Sequence, residues 1–350
     1  MAAAQLALRV RVRNLTLDDI ERALWEERTL ARVWCMRGTV HLVPSDELAV
    51  FARGSSTRQL ARVAAWMARS GAPPGSDVRL MEAACASMDR PRTRNEIAAH
   101  VRDALGVPIE KKGSRGWGSP SDASGFRVGR LVFTVPDLAF MASYRVLACF
   151  GPDNGQGSTF VRPDAWLPSF RDMPAEDAED AFLRRYLGGF GPATVHDFAM
   201  WSILTVGRAR QIWSRLANEL EPVAVGGQAM WILRRDLPAL KRARLGRPTV
   251  RLLPYFDSFL MGHKGRDHLV DAAHYKRIYR AAGWVYPAVL VDGRIAGEWS
   301  YERQGKRLRV RVTPYVPLEA AVRDRAQREA EDVARFLEAP EARVAFAKVR

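Results

Sequence analysis

Cysteine is scarce in this sequence. The 350 residues include three cysteines, Cys35, Cys85 and Cys149, which lie far apart along the chain. This number and spacing exclude a disulfide framework and a Cys-x-x-Cys metal site, and they fit a reducing cytoplasm. Long apolar runs are lacking too, although a transmembrane helix needs about 20 apolar residues. The first residues show no basic region followed by an apolar one, as a secretion signal would. We therefore expect a cytoplasmic protein with no membrane association.

Standard catalytic and cofactor signatures are also missing. The sequence contains no P-loop, no Gly-x-Gly-x-x-Gly, no Gly-x-Ser-x-Gly and no His-Glu-x-x-His. The best local candidate for a catalytic or metal site lies in residues 255–268, which contain Asp257, His263, Asp267 and His268. Their spacing matches no common zinc pattern, and a polar loop after a buried strand explains them equally well. We expect no metal and no cofactor, and a small-molecule hydrolase at residues 257–268 remains a third alternative.

Acidic residues are too few to balance the basic ones. The chain has 54 Lys and Arg against 39 Asp and Glu, a formal net charge of +15. Only seven of the bases are lysine, which codon bias in a GC-rich genome explains. Codon bias does not explain the excess of bases over acids. A surface of this charge attracts polyanions, so the composition favours a nucleic-acid partner.

The chain is long enough for two or three domains of roughly 100–200 residues each. Thr16 is a helix N-cap followed by an acidic first turn, and residues 30–43 read as two strands joined by a turn at Arg37-Gly38. A capping box at Thr93 and Glu96 starts a helix in the next region. These signals predict helices that alternate with short hairpins.

Residues 174–240 show the order of a winged helix. Three short helices are predicted, followed by a hairpin at Gly226-Gly227. The third helix, residues 205–216, carries Arg208 and Arg210 and is the recognition element in such a fold. Two arginines on a surface helix are common, so they are weak support when taken alone.

The last part of the chain looks richer in strands. Residues 251–260 and 285–291 are apolar and strand-like, and Asp292-Gly293 is a hairpin turn. Residues 307–312 alternate between arginine and apolar side chains, and residues 318–337 form a charged amphipathic helix. The arginine face of this strand is either solvated or in contact with a DNA backbone.

The hairpin predicted at residues 30–43 also carries candidate DNA-binding residues. The segment Arg37-Gly-Thr-Val-His41 places Arg37, Thr39 and His41 at or beside a hairpin tip. Such a tip can enter a DNA groove or contact a phosphate. The alternative is a solvated arginine and a structural histidine.

Several blocks of sequence, in order, resemble one known family. They are residues 21–30 with 33–44, residues 185–194 with 197–202, residues 252–263 and residues 287–299. The sequence is similar over nearly its whole length to the winged helix DNA-binding family that contains the AlkZ-like DNA glycosylases. The resemblance implies tandem winged helices that form a concave DNA-binding surface and a C-terminal β-rich domain. It also implies hydrolysis of the N-glycosidic bond of alkylated purines.

The family's catalytic motif, Gln–apolar–Gln or Gln–apolar–Asp, is missing from this sequence. No two of its seven glutamines are separated by one residue, and none has an aspartate two positions later. We therefore expect either that this chain starts late or that it has lost the catalytic pair. The resemblance supports DNA binding better than catalysis, and no residue is assigned as catalytic.

The prediction is thus an α+β protein with tandem winged helices. The predicted segments are 1–54 (a first winged helix, truncated at its N-terminus), 55–173 (a second), 174–245 (a third) and 246–350 (a C-terminal α+β domain). We expect a cytoplasmic monomer that binds damaged duplex DNA and repairs alkylated bases as a glycosylase. The alternative is a non-catalytic winged-helix binder or regulator. The DNA-binding residues are predicted to be Arg37, Thr39, His41, Arg208 and Arg210.

Overall fold

The structure is a computed structural model that describes residues 2–111, 124–155, 157–244, 248–305 and 307–349. Within these ranges the α-helices are α1 (Ala2–Arg9), α2 (Leu17–Glu21), α3 (Leu48–Gly54), α4 (Ser56–Arg69), α5 (Ser76–Ala86), α6 (Arg94–Leu105), α7 (Val135–Tyr144), α8 (Pro163–Trp166), α9 (Ala175–Phe190), α10 (Val195–Ser202), α11 (Val206–Arg215), α12 (Leu237–Arg242), α13 (Tyr275–Ile278) and α14 (Ala320–Phe336). None of the helices in the described ranges has the length and hydropathy of a membrane span.

The strands in the same ranges are β1 (Leu30–Trp34), β2 (Val40–Pro44), β3 (Ile109–Lys111), β4 (Ser124–Val128), β5 (Leu131–Thr134), β6 (Cys149–Phe150), β7 (Phe160–Val161), β8 (Leu220–Val225), β9 (Gln228–Leu233), β10 (Val250–Leu253), β11 (Ala288–Val291), β12 (Arg294–Gln304), β13 (Arg307–Pro314) and β14 (Glu341–Phe346). A π-helical turn spans Arg22–Glu26. The 3-10 turns are Met36–Gly38, Ser45–Glu47, Ala217–Glu219, Arg234–Asp236, Ser258–Met261, Ala272–His274 and Ala281–Gly283.

The chain divides into two compact units. Unit 1 comprises Met1–Glu21, Leu187–Trp201 and Glu219–Arg350, and unit 2 comprises Arg22–Tyr186 and Ser202–Asn218. The predicted α+β fold class is confirmed, since both units combine helices with sheets. The four predicted segments, and their assembly into tandem winged helices around a concave surface, stay predictions.

Unit 2 contains two antiparallel sheets, with strand orders β2-β1-β6-β7 and β3-β4-β5. The predicted capping box is confirmed, because the Thr93 hydroxyl accepts from Glu96 N at 3.2 Å and the Glu96 carboxylate accepts from Thr93 N at 2.8 Å. An equivalent box at Thr134 and Asp137 starts α7. The helices and sheets share a core of fully buried apolar side chains, among them Ile97, Val101, Phe126, Phe133 and Leu138.

The first predicted hairpin is confirmed. Strands β1 and β2 pair antiparallel, with Val33 opposite His41 and Trp34 opposite Val40. At the tip Arg37 has φ 60° and Gly38 has φ 73°, both in the left-handed region. Glycine meets that requirement without a steric penalty, which explains the Arg37-Gly38 turn signal.

The elements of the third predicted segment follow in the predicted order. Helices α9, α10 and α11 precede the β8–β9 hairpin, whose turn residues Gly226 and Gly227 have φ 57° and 81°. The helix predicted at residues 205–216 is α11, and the hydroxyl of Thr205 caps it by accepting from Arg208 N at 3.2 Å.

Unit 1 is built on a sheet of strand order β10-β11-β12-β13-β14, in which only the β13–β14 pair is parallel. The alternation predicted in β13 is confirmed, since Leu308, Val310 and Val312 are buried while the intervening arginines are exposed. The strands predicted at 251–260 and 285–291 were too long. Strand β10 ends at Leu253 and β11 begins at Ala288, because Pro254 and Pro287 adjoin these ends and lack the N–H that a ladder requires.

Candidate DNA-binding residues and a cavity

The tip of the β1–β2 hairpin is closed by its own hydrogen bonds. Gly38 N donates to the Cys35 carbonyl at 3.1 Å, and the Thr39 hydroxyl donates to the Met36 carbonyl at 3.2 Å. The Nε2 atom of His41 lies 3.1 Å from the same Met36 carbonyl and 2.9 Å from the Thr39 hydroxyl. A carbonyl only accepts, so Nε2 carries the proton in this geometry and Nδ1 is the acceptor of the ring.

The electrostatic setting keeps His41 neutral. Burial, followed by the nearby charge of Arg37, lowers the pKa of His41 to about 4. Burial also lowers the pKa of Arg37 from its ordinary value, although a guanidinium remains charged near neutral pH. The hairpin tip therefore presents a cation, a hydroxyl and a neutral imidazole side by side at pH 7.

Two further polar residues join this group, and no local pattern in the sequence indicates either of them. The Tyr144 hydroxyl donates to the Cys35 carbonyl, and the Gln59 side chain hydrogen-bonds Tyr144. Burial raises the pKa of Tyr144, so its phenol stays protonated. Gln59 is buried, and its Nε2 would lie 3.3 Å from a Cβ placed on Gly38. We call Arg37, Thr39, His41, Gln59 and Tyr144 the hairpin-tip cluster. Gln59 and Tyr144 come from α4 and α7, so only packing brings them here.

The two arginines predicted on α11 have different surroundings. Arg208 donates from Nε and Nη2 to the two carboxylate oxygens of Glu179, at 2.8 and 2.7 Å. Glu179 is 1% exposed and also accepts from Arg215 at 3.1 Å and from the Thr57 hydroxyl at 3.2 Å. Arg210 lies on the exposed side of the helix. A DNA-backbone contact stays a prediction for both, but Arg208 already neutralises a buried carboxylate.

Unit 1 contains a cavity of about 710 Å³ with an apolar and a polar wall. Its apolar wall includes Phe190, Met230 and Phe259, and its polar wall includes His196, Asp197, Gln228, His263, Lys264, Asp267 and His268. Asp197 starts α10 by accepting from Thr194 N at 2.9 Å, and its other oxygen accepts from Lys264 N at 2.7 Å. The rings of His263 and His268 meet edge to face at 4.9 Å, and burial, together with His263, lowers the pKa of His268.

The polar group predicted at residues 255–268 is divided by the fold. His263, Asp267 and His268 line the cavity, whereas Asp257 is not among its lining residues. Asp257 is buried, and its two oxygens accept from the Arg11 guanidinium at 2.8 and 2.9 Å. It also accepts from Phe259 N at 2.9 Å and so caps a 3-10 turn. Among the residues that the structure describes, no three His, Cys, Asp or Glu side chains are grouped to hold a metal ion.

The comparison with known proteins defines the class of this protein. Residues 1–336 match the family described as DNA glycosylase AlkZ-like, and the chain belongs to that family. The family resemblance predicted from the ordered sequence blocks is thereby confirmed.

Two comparisons give particular relatives, both from Streptomyces sahachiroi. The chain is 28% identical over 342 residues to an interstrand DNA cross-link repair glycosylase. The aligned region covers 95% of this chain and 86% of the relative. The solved structure of the DNA glycosylase AlkZ has the same fold, with a TM-score of 0.80 and 24% identity, over 99% of this chain and 89% of that one.

Proposed function

We propose that this protein is a DNA glycosylase that hydrolyses the N-glycosidic bond of alkylated purines in duplex DNA. The observation that carries the proposal is the match to the AlkZ-like glycosylase family over residues 1–336. The net charge of +15 supports a polyanionic substrate. We further propose that the protein works as a monomer in the bacterial cytoplasm, where the DNA lies.

The chemistry demands little of an active site. Alkylation at N7 makes the purine cationic, so the bond from C1′ to N9 breaks with its electron pair leaving on the base. Water then adds to C1′ and loses a proton. The protein must hold that water and stabilise the positive charge that develops on the sugar.

We assign the hairpin-tip cluster to this work. His41 is neutral near pH 7 because its pKa is about 4, and its Nδ1 is an acceptor that can hold the attacking water. Arg37 and Thr39 lie beside it, where a guanidinium and a hydroxyl suit phosphate contacts. Arg210 is exposed on α11 and suits a further backbone contact.

Base release from methylated duplex DNA tests the proposal. The assay is single-turnover release of 7-methylguanine, followed by chromatography, with DNA binding measured in parallel. We expect release by the wild type and a rate lower by about 100-fold in His41→Asn, with binding retained. His100→Asn is the matched control, because His100 is exposed on α6. Equal rates in wild type and His41→Asn would remove His41 from the mechanism.

A second candidate function is non-catalytic DNA binding. The observation that favours it is the spacing of the seven glutamines, which forms no Gln–apolar–Gln motif in this sequence. Salt-dependent binding without base release by the wild type would support a binder or regulator over a glycosylase.

The name of the relative provides a second substrate to test. It is described as an interstrand DNA cross-link repair glycosylase, so a duplex cross-linked through N7 of guanine is the appropriate probe. Denaturing electrophoresis would separate the unhooked strands. Release of 7-methylguanine without unhooking would restrict the activity to monoadducts.

A further inference from the structure

Three large aromatic side chains form an exposed cluster in unit 1. Tyr255, Phe256 and Trp284 are 40%, 41% and 44% exposed. The ring of Trp284 lies 5.2 Å from Phe256 and 6.2 Å from Tyr255, measured between centroids. Tyr286 packs behind them, 5.1 Å from Tyr255. Contiguous exposed aromatic rings are uncommon on a soluble protein and indicate an interaction site.

The backbone holds this cluster in place. Trp284 follows a tight turn in which Ala282 has φ 55° and Gly283 has φ 77°. The Trp284 carbonyl accepts from Arg280 N at 2.9 Å, and Val285 O accepts from Phe256 N at 3.1 Å. Val285 itself is buried in the core of unit 1. A surface fixed in this way loses little conformational entropy when it binds.

The charge around the cluster is positive. Residues 274–284 contain Lys276, Arg277 and Arg280. The carboxylate of Glu298 pairs with Arg277 at 2.7 Å and lies 3.9 Å from Arg280, so one acidic group faces these three cations and the segment keeps a net positive charge. The guanidinium of Arg280 lies 3.7 Å from the ring centroid of Tyr286. Asp257, which follows Phe256 in the sequence, is buried and paired with Arg11. Aromatic rings bordered by cations suit a nucleic-acid strand, because bases stack on the rings and phosphates pair with the cations.

The size of the cluster also favours a base over a protein partner. Three such rings at this exposure offer about 250 Å² in all, given roughly 150–250 Å² for each fully buried aromatic side chain. A stable protein interface buries about 800 Å² on each partner. One or two stacked bases need no more contact area than these three rings offer.

We propose that Tyr255, Phe256 and Trp284 form a stacking surface for an unpaired base of DNA. The inference rests on the proposed function only in taking DNA as the partner. It does not require base release. A protein with this surface binds DNA that contains an unstacked nucleotide more tightly than a fully paired duplex.

The test compares three undamaged DNA probes of one length: a paired duplex, a duplex with a single-nucleotide bulge, and a single strand. Anisotropy reports affinity, and 2-aminopurine in the bulge reports stacking through loss of its fluorescence. We expect the wild type to prefer the bulge by about 5- to 150-fold, the range for one stacked base. Trp284→Ala and Phe256→Ala should lose the preference while keeping their affinity for the paired duplex. Trp284→Phe should retain most of it.

Tyr301→Ala is the matched control, since Tyr301 is 39% exposed on β12 and lies outside the cluster. The proposal is overturned if the wild type shows no preference, or if Trp284→Ala weakens binding to all probes equally. It is also overturned if the wild type self-associates in sedimentation and Trp284→Ala abolishes that association, because the occupant is then a second copy. If the wild type prefers the bulge but releases no base from methylated duplex DNA, the proposed function is contradicted and the stacking proposal is not.

Discussion

Alanine substitutions of Arg208 and of Arg210, made separately, should have different consequences for folding and for DNA binding. The guanidinium of Arg208 holds the buried carboxylate of Glu179 through two hydrogen bonds of 2.8 and 2.7 Å. Arg210 is two residues further along α11 and is exposed. Sequence reasoning gave the two arginines one role, and the structure separates them.

The magnitude for Arg208→Ala follows from what remains around Glu179. Removing one partner of a buried ion pair costs about 3–5 kcal/mol. Here Arg215 stays on the carboxylate at 3.1 Å, and the Arg208 side chain is itself 28% exposed. We therefore expect a loss of about 1–3 kcal/mol in the free energy of unfolding. Arg208→Lys should recover only part of it, because an ammonium keeps the charge and loses the two-pronged geometry.

Arg210→Ala should leave stability within about 0.5 kcal/mol of the wild type. If Arg210 contacts a phosphate, the negative slope of the logarithm of affinity against the logarithm of salt concentration should become shallower by about 0.9 in this variant. The loss should be uniform across sequences, since a phosphate carries no base identity. Arg208→Ala, measured where it is fully folded, should keep the wild-type slope if the Arg208 guanidinium of the wild type stays on Glu179 when DNA binds.

The measurements are urea denaturation followed by tryptophan fluorescence and titration of labelled duplex DNA at several salt concentrations. Wild-type stability in Arg208→Ala together with a shallower salt slope would refute the reasoning, because the guanidinium would then leave Glu179 for DNA. An unchanged slope in Arg210→Ala would remove Arg210 from the DNA-binding surface.

Two further predictions concern stability. The pKa of His41 falls from 6.5 to about 4 on folding. As the pH drops, His41 is therefore protonated in the unfolded chain at a higher pH than in the folded protein. Between about pH 6.5 and 4 the free energy of unfolding of the wild type should therefore fall by about 1–3 kcal/mol relative to that of His41→Asn. Urea denaturation at each pH measures this difference, and parallel curves of stability against pH for the two proteins would contradict it. A methyl group at Gly54 would lie 2.8 Å from Cβ of Phe182 and 3.0 Å from the Ala178 carbonyl, so Gly54→Ala should cost about 1–3 kcal/mol. Gly188→Ala in α9 meets no atom within 4 Å and should stabilise by up to about 1 kcal/mol; a stabilising Gly54→Ala would show that α3 can shift.

Local physics determined much of the secondary structure from the sequence alone. Thr93 with Glu96 and Thr205 start α6 and α11 because a hydroxyl satisfies the free N–H groups of a first turn. The turn at Gly226-Gly227 follows from the freedom of glycine at positive φ. The alternation in β13 follows from the two faces of a strand. Each of these signals is complete within a few neighbouring residues.

The environment of the candidate sites was decided only by the tertiary structure. Glu179 and Arg208 are 29 residues apart, and Asp197 and Lys264 are 67 apart, so no local pattern joins them. The hairpin tip was visible in the sequence, but the burial that lowers the pKa of His41 was not. A pKa and an ion pair depend on distance, dielectric and burial, which packing sets and residue spacing along the chain does not.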